Sequence, residues 1–325
     1  MAAVNSSLAH EDESHLTAPK GARRDRIFAK AVLAAAFLVL VILALIAWST
    51  ASEAWPVFSK EGLRFIFSNR WNPSKGEFGG LAFVYGTLVI SLIAVVIAVP
   101  VSVGIALLTT EVAPKWLRKP LVYLVDLLAV VPSVVFGLWG INVLAPKIKP
   151  IYKSFADAVN WIPGINRIFV SQGAQGRSIM TAGIILAVMI TPVITSLVRE
   201  IFATVPSALK EAAYGLGATR WEMIRGAVMS HSKSGLISSV MIGLGRAMGE
   251  TIAVALVIGS SPQITSRLFN TGDAMASVIA NNFGEADGTF RAALIGMGVV
   301  LFGITIIVGV GARAVVNRST KKLSA

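Results

Sequence analysis

Apolar runs alternate with polar stretches along the whole of this chain. Residues 31–48, 82–109, 121–145, 178–201, 235–259 and 292–312 are each dominated by aliphatic side chains. About 20 such residues are what a helix needs to cross the hydrocarbon core of a bilayer. The pattern therefore predicts an all-α, polytopic membrane protein with six transmembrane helices. Pro100 interrupts the second run, Pro132 lies in the third, and Thr191-Pro192 breaks the fourth. Proline removes a backbone donor and clashes with the preceding turn, so bends are expected at these points.

The polar stretches set the predicted organisation. Residues 1–30 begin acidic at Glu11, Asp12 and Glu13, end basic at Lys20, Arg23, Arg24, Arg26 and Lys30, and read as a disordered cytoplasmic tail. Residues 31–50 form the first transmembrane helix, retained rather than cleaved, because the tail before it is long and further apolar runs follow. Residues 51–81 are an external loop with Trp55 and Trp71 at the interface. A core of five transmembrane helices fills 82–315, with a polar cytoplasmic island at 202–232 and a long polar loop at 146–177, and residues 316–325 form a cytoplasmic tail. Of the 29 lysines and arginines, 17 fall on the side holding both termini, the 111–120 loop and the island. The other side holds 11, and Arg246 lies inside a span. That bias puts both termini in the cytoplasm. The basic 146–177 loop is suited to attract an anion or an acidic partner.

Composition narrows the function classes. The 325 residues are 55% hydrophobic and only 14% charged, far from a soluble domain. Cysteine is absent, which excludes disulfides and thiolate metal sites. His10, His15 and His231 form no ligand cluster and read as solvated, so no metal is expected. The net charge of +12 has membrane lipid as its partner rather than nucleic acid, since no basic stretch is interleaved with aromatics. No GxxxxGK[ST] loop is present, so the chain is expected to bind no ATP itself and to be no enzyme. The stretch GLGRAMG, 243–249, has the wrong spacing for a dinucleotide loop, and Gly245 and Gly249, four apart, suit close helix packing instead.

The island EAAYGLGATRWEMIRGAVMS, 211–230, carries the most local information. Pro206 and Ser207 open a helix, with Ser207 a candidate cap. Glu211, Ala212 and Ala213 are strong helix formers, and Glu211 sits near the positive end of the helix dipole. Gly217 is placed to take the left-handed conformation that closes a helix. Thr219 and Glu222 have capping-box spacing, which predicts a second helix from Thr219. Two short helices thus meet at a glycine elbow. Glu211-Ala212-Ala213, three residues and then Gly217 resemble the EAA loop of binding-protein-dependent ABC importer permeases. In that family the loop docks as a coupling helix in a groove of the ATPase subunit. The family's later I-x-L-P is replaced here by Ala227, Val228, Met229 and Ser230.

Arg246 and Glu250 are the second feature. An intramembrane charge costs at least about 2.5 to 3.5 kcal/mol, so such residues usually face a bundle interior or a water-filled path. At i and i+4 the two would share one helix face. They read either as an ion pair that lets the helix insert or as an anion contact in a translocation path. Asp126, near the start of the third span, reads as a lone interfacial or packing acid.

The stretches FGGLAFVYGTLVISLIAVVIAVP (78–100), VPSVVFGLWG (131–140) and GLGRAMGETIAVALVIG (243–259) together resemble the permeases of phosphate-specific ABC importers, PstC type. The resemblance covers roughly residues 65 to 312. It implies a type I ABC importer permease fold in a bacterial plasma (cell inner) membrane and import of phosphate into the cytoplasm, and it places Arg246 and Glu250 in the substrate path. It also implies a PstA-like permease partner, a PstB-like ATPase dimer that uses the ATP, and a PstS-like phosphate-binding protein. A permease for another oxyanion, molybdate or sulfate, and an ATP-independent secondary transporter are the alternatives.

Overall fold

The computed structural model of the protein describes residues 22–170 and 174–321. Most of the predicted N-terminal tail, with His10 and His15, and residues 322–325 lie outside the described residues. The chain divides into two units by its internal contacts, the first ending at Ser52 and the second running from Glu53. Helix α1 (Ala22–Glu61) begins inside the stretch read as disordered and runs past residue 50 into the stretch read as an external loop. Its first turn carries Asp25 and its last Lys60, each on the favourable end of the helix dipole.

The second unit continues through α2 (Arg64–Phe67) to a two-stranded antiparallel ribbon, β1 (Trp71–Asn72) and β2 (Glu77–Phe78), with Trp71 opposite Phe78. The WNP stretch makes the turn between them. Asn72 accepts from the Lys75 amide, Pro73 opens a single 3-10 turn, and Gly76 closes it at φ +66°. Trp71 is not a free interfacial anchor. It packs edge-on against Phe83 at 4.8 Å and against Phe78 at 5.5 Å between ring centroids.

Then come α3 (Leu81–Leu107), α4 (Lys115–Val130), α5 (Ser133–Trp139), α6 (Ala145–Val159), α7 (Ile165–Ile168) and α8 (Ile179–Ala203). The island folds as α9 (Ser207–Gly215) and α10 (Arg220–Met223). The chain closes with α11 (Ser230–Met248), α12 (Ile252–Val257), α13 (Met275–Asn282) and α14 (Gly288–Lys321).

Helices α3 and α8 form the spine, packing more extensively on one another than any other pair. Ala94 and Ala98 of α3 and Ile190, Ile194 and Val198 of α8 belong to one core, all fully buried. Small residues on one side let the backbones approach, which is how helices associate when lipid is as apolar as their side chains. Ser102 Oγ donates to the Thr191 carbonyl at 3.0 Å across this seam. Around the spine, α11 and α12 pack on α8, α5 packs on α12, and α14 packs on α11 and α13.

Several predicted boundaries move. Helix α8 runs unbroken through Pro192, as α3 does through Pro100. Packing by neighbouring helices lets a membrane helix carry a proline, and Pro192 is itself buried. The predicted third span is instead split at Pro132, which is extended and opens α5. Much of the stretch read as a polar loop is helical, since α6 buries Ile148, Tyr152 and Ala156 on one face. Among the described residues, five helical stretches are long and apolar enough to cross a membrane: Arg24–Glu61, Leu81–Val112, Ser133–Val159, Ile179–Ala203 and Gly288–Ala314. The predicted 235–259 span is not continuous, because the chain leaves the helix at Gly249–Thr251.

Candidate functional site

The island has the local geometry its sequence demands. Pro206 stands before α9 in an extended conformation, and Ser207 is the first helical residue without bonding a first-turn amide. Pro206 thus opens the helix by its fixed φ alone. Glu211 and Ala212 are exposed and Ala213 is half-buried. Gly217 turns the chain at φ +82°, where a side chain would be strained. Thr219 and Glu222 then form the complete capping box: the Thr219 amide donates to Glu222 Oε2 at 2.8 Å, and the Thr219 hydroxyl accepts from the Glu222 amide at 3.4 Å. The Thr219 hydroxyl also donates to Glu222 Oε2 at 2.7 Å, and the Thr219 amide first and its hydroxyl second hold the Glu222 carboxyl below its ordinary range. The chain re-enters the bundle through one π-helical stretch, Ile224–Met229. This is where the family's I-x-L-P is missing.

The elbow is not free-standing. Glu111, in the π turn Leu108–Val112 that ends α3, reaches both of its arms. Lys210 Nζ, on α9, donates to Glu111 Oε1 at 2.6 Å, and Arg220 Nη2, at the start of α10, donates to the Glu111 carbonyl at 2.6 Å. One residue at the end of the spine thus grips the island on either side of Gly217. Sequence reading missed Glu111, for it lies about a hundred residues away in a loop counted only for its basic residues. Asp126 is likewise not a lone acid, since its Oδ1 lies 3.5 Å from Arg199 Nη2 and ties α4 to α8.

The intramembrane charges are arranged differently from the expectation. Arg246 is in the last turn of α11 and exposed, whereas Glu250 lies beyond the end of that helix. Glu250 Oε1 accepts from the Ala253 amide at 3.2 Å and so caps α12. The two therefore share no continuous helix face. Among the described residues no ion pair joins Arg246 to Glu250 or to any other acid. The physical cause is the run Gly245 to Thr251, whose glycine ends α11 and whose acid satisfies an orphan amide of the next helix. An exposed guanidinium on a membrane helix is costly against lipid, which leaves a subunit contact or an aqueous path as its surroundings.

The glycine pattern is corrected as well. Neither Gly245 nor Gly249 is packed closely by another helix. The close approach is at Gly243, where an added Cβ would come within 2.6 Å of Ile194 in α8.

Comparisons with known proteins identify the family. Residues 98–321 match the family described as binding-protein-dependent transport system inner membrane component. The chain is 43% identical over 305 residues to the phosphate transport system permease protein PstC of Xylella fastidiosa (strain Temecula1), covering 93% of this chain and 94% of that one. It is 41% identical to the protein of the same name from Mesorhizobium japonicum, covering 98% of each. The fold matches a chain in the crystal structure of a bacterial alginate ABC transporter in complex with an alginate pentasaccharide-bound periplasmic protein, with a TM-score of 0.57 at 18% identity, covering 91% of this chain and 98% of that one. A gripped two-helix elbow on a bundle of apolar helices and a family match over most of the sequence lead to one conclusion: the chain belongs to the binding-protein-dependent transport system inner membrane components, the permeases of ABC importers.

Proposed function

We propose that this chain is the permease subunit of an ATP-driven importer of inorganic phosphate. The observation that carries the reading is its similarity, over nearly its whole length, to proteins named as phosphate transport permeases. In this reading the chain makes and breaks no bonds and binds no cofactor directly. A PstB-like ATPase dimer hydrolyses ATP, a PstA-like permease completes the path, and a PstS-like protein delivers phosphate. The excess of basic residues around the island and termini favours their cytoplasmic placement.

The residues divide the work. Glu211 and Ala212 present the exposed face of α9 to the ATPase groove, Ala213 seats that helix against the core, and Gly217 keeps the elbow bent. Movement of the elbow passes through Lys210 and Arg220 to Glu111, and from there along α3 to α8. Arg246 meets the anion where α11 ends, because an unpaired guanidinium supplies charge and up to two parallel donors to an oxyanion. Glu250, by capping α12, fixes the break that exposes Arg246.

The test is labelled phosphate uptake, with molybdate and sulfate as competitors, in cells lacking their own phosphate permease and supplied with this chain and its partners. Saturable uptake that resists both competitors is expected. In Arg246→Ala of equal membrane abundance it should fall at least about a hundredfold, the scale for removing one partner of a desolvated charge contact. Uptake of molybdate or sulfate instead would replace phosphate as the substrate. Undiminished phosphate uptake in the variant would remove Arg246 from the path.

A further inference from the structure

At the end of the bundle away from the coupling loop, two charged residues have no role in the scheme above. Arg177, just before α8, and Asp273, just before α13, line one cavity of about 570 Å³. Trp71, Ser260 and Asn281 contribute to its wall. An adjoining cavity of about 420 Å³ shares Arg177 and Ile141 and adds Lys149. Phe83, in the first turn of α3, also lines the larger cavity, whereas Glu111, past the far end of α3, holds the coupling loop. At 1.5 Å per residue these ends are about 40 Å apart along the helix. Ala255 and Leu256 of α12 line the cavity too, and Glu250 caps the opposite end of that short helix. The cavity therefore lies one helix of six residues from the break at Arg246.

Asp273 is built into place. It is only 6% exposed, its Oδ1 accepts from the Ala274 amide at 2.8 Å, and its carbonyl oxygen rests on Gly86 so closely that an added Cβ would come within 1.8 Å. Burial pushes its carboxyl up to about 6, against the pull of the Ala274 amide and of the Ser277 hydroxyl. Arg177 is exposed toward solvent, and no ion pair joins it to Asp273. A fixed acceptor and an unpaired guanidinium on one cavity suit a ligand that has acceptor oxygens and also an O–H.

We propose that this cavity is a separate anion station that selects hydrogen phosphate, with Arg177 binding its oxygens and Asp273 accepting its O–H. The idea rests on the phosphate reading above and adds a source of selectivity to it. Sulfate has the same shape and charge but no hydrogen near neutrality. It would leave the carboxylate unpaired and facing a second negative charge, and an unpaired buried polar group is what makes rejection strong. Lys149, in the adjoining cavity, adds positive potential that draws either anion toward Arg177.

The experiment uses the assembled permease and ATPase complex in lipid nanodiscs, without the binding protein and in an Arg246→Ala background. Inorganic phosphate is the probe, read by phosphorus-31 saturation transfer, with sulfate as competitor. Phosphate binding should persist in that background and weaken at least about tenfold on adding Arg177→Gln, as expected for loss of a charge-assisted contact. Arg177→Lys should restore part of it. Sulfate should displace phosphate at least about tenfold less well than phosphate itself, and Asp273→Asn should bring the two toward parity. Equal binding in Arg177→Gln, or equal competition by sulfate before Asp273 is changed, would overturn the station. If the Arg246→Ala complex gives no saturation transfer while the unsubstituted complex imports phosphate in cells, the station falls and the transport reading stands. If they import sulfate and not phosphate, both fall.

Discussion

The two ends of the bundle use charge in opposite ways. At the coupling end two acids are spent on bases: Glu111 on Lys210 and Asp126 on Arg199. In the break after α11 and in the cavity beyond it, Arg246 and Arg177 have no acid partner among the described residues, and Glu250 and Asp273 bond backbone amides rather than bases. Paired charges suit a part that must move as one piece. Unpaired charges in a membrane protein are expensive to keep and suit a part that must receive an ion. In the reading proposed above, the contrast separates force transmission from substrate handling within a single chain.

The contrast can be broken at several points. The largest effect is expected at the cavity end, where Gly86→Ala would drive a methyl group into the Asp273 carbonyl. Overpacking of that kind costs about 1 to 3 kcal/mol, so the variant should unfold at lower temperature in detergent and lose uptake while the coupling loop still binds the ATPase. Loss of ATPase binding in Gly86→Ala would mean that the two ends are not separable.

Gly217→Val is next. A branched residue at φ +82° is strained by about 1 to 2 kcal/mol, and open space around the glycine means that no clash adds to it. The expected result is a folded complex that hydrolyses more ATP per anion imported. An unchanged ratio would remove the elbow from the coupling scheme.

Glu111→Gln and Lys210→Met should each loosen one arm, with a coupling energy of about 1 kcal/mol in a double-mutant cycle, because Lys210 keeps 24% of its side chain exposed. The Arg220 bond goes to the Glu111 carbonyl and survives both changes. Arg220→Ala added to either should therefore worsen coupling further. Additive effects of Glu111→Gln and Lys210→Met would show that the pair is not a working contact.

The smallest effect concerns acid. Because the folded carboxyl of Glu222 is held below its ordinary 4.5, its capping contribution is complete above that value. It is lost as pH falls through the lower folded value. The protection of the Thr219 and Glu222 amides from hydrogen exchange, taken relative to the intrinsic rate at each pH, should fall on acidification below about 4.5 and stay constant near neutrality. Protection unaffected by acid, or abolished protection in Glu222→Gln at neutral pH with no further pH dependence, would respectively discard or isolate the carboxylate's part.

Legibility in the sequence followed the range of the forces. The elbow was readable because Thr219, Glu222 and Gly217 act within one turn of backbone, and a capping box or a left-handed glycine needs no distant partner. The apolar runs were readable because crossing a bilayer is a demand on composition and length. The continuity of α8 through Pro192 was not, since a proline's effect depends on the helices packed around it. Arg246 and Glu250 were found as charges in an apolar run, yet their i, i+4 spacing misled. A helix periodicity cannot reveal that Glu250 has left the helix to cap α12.

By itself the sequence determined that this is an all-helical membrane protein with a polar elbow between apolar spans, because hydropathy and backbone capping are local. Only the tertiary structure decided which charges are partners. It brought Glu111 to Lys210 and Arg220 across about a hundred residues, and it placed Arg177 and Asp273 on one cavity. Coulomb and hydrogen-bond energies depend on distances in space, and the order of residues along a chain does not contain those distances.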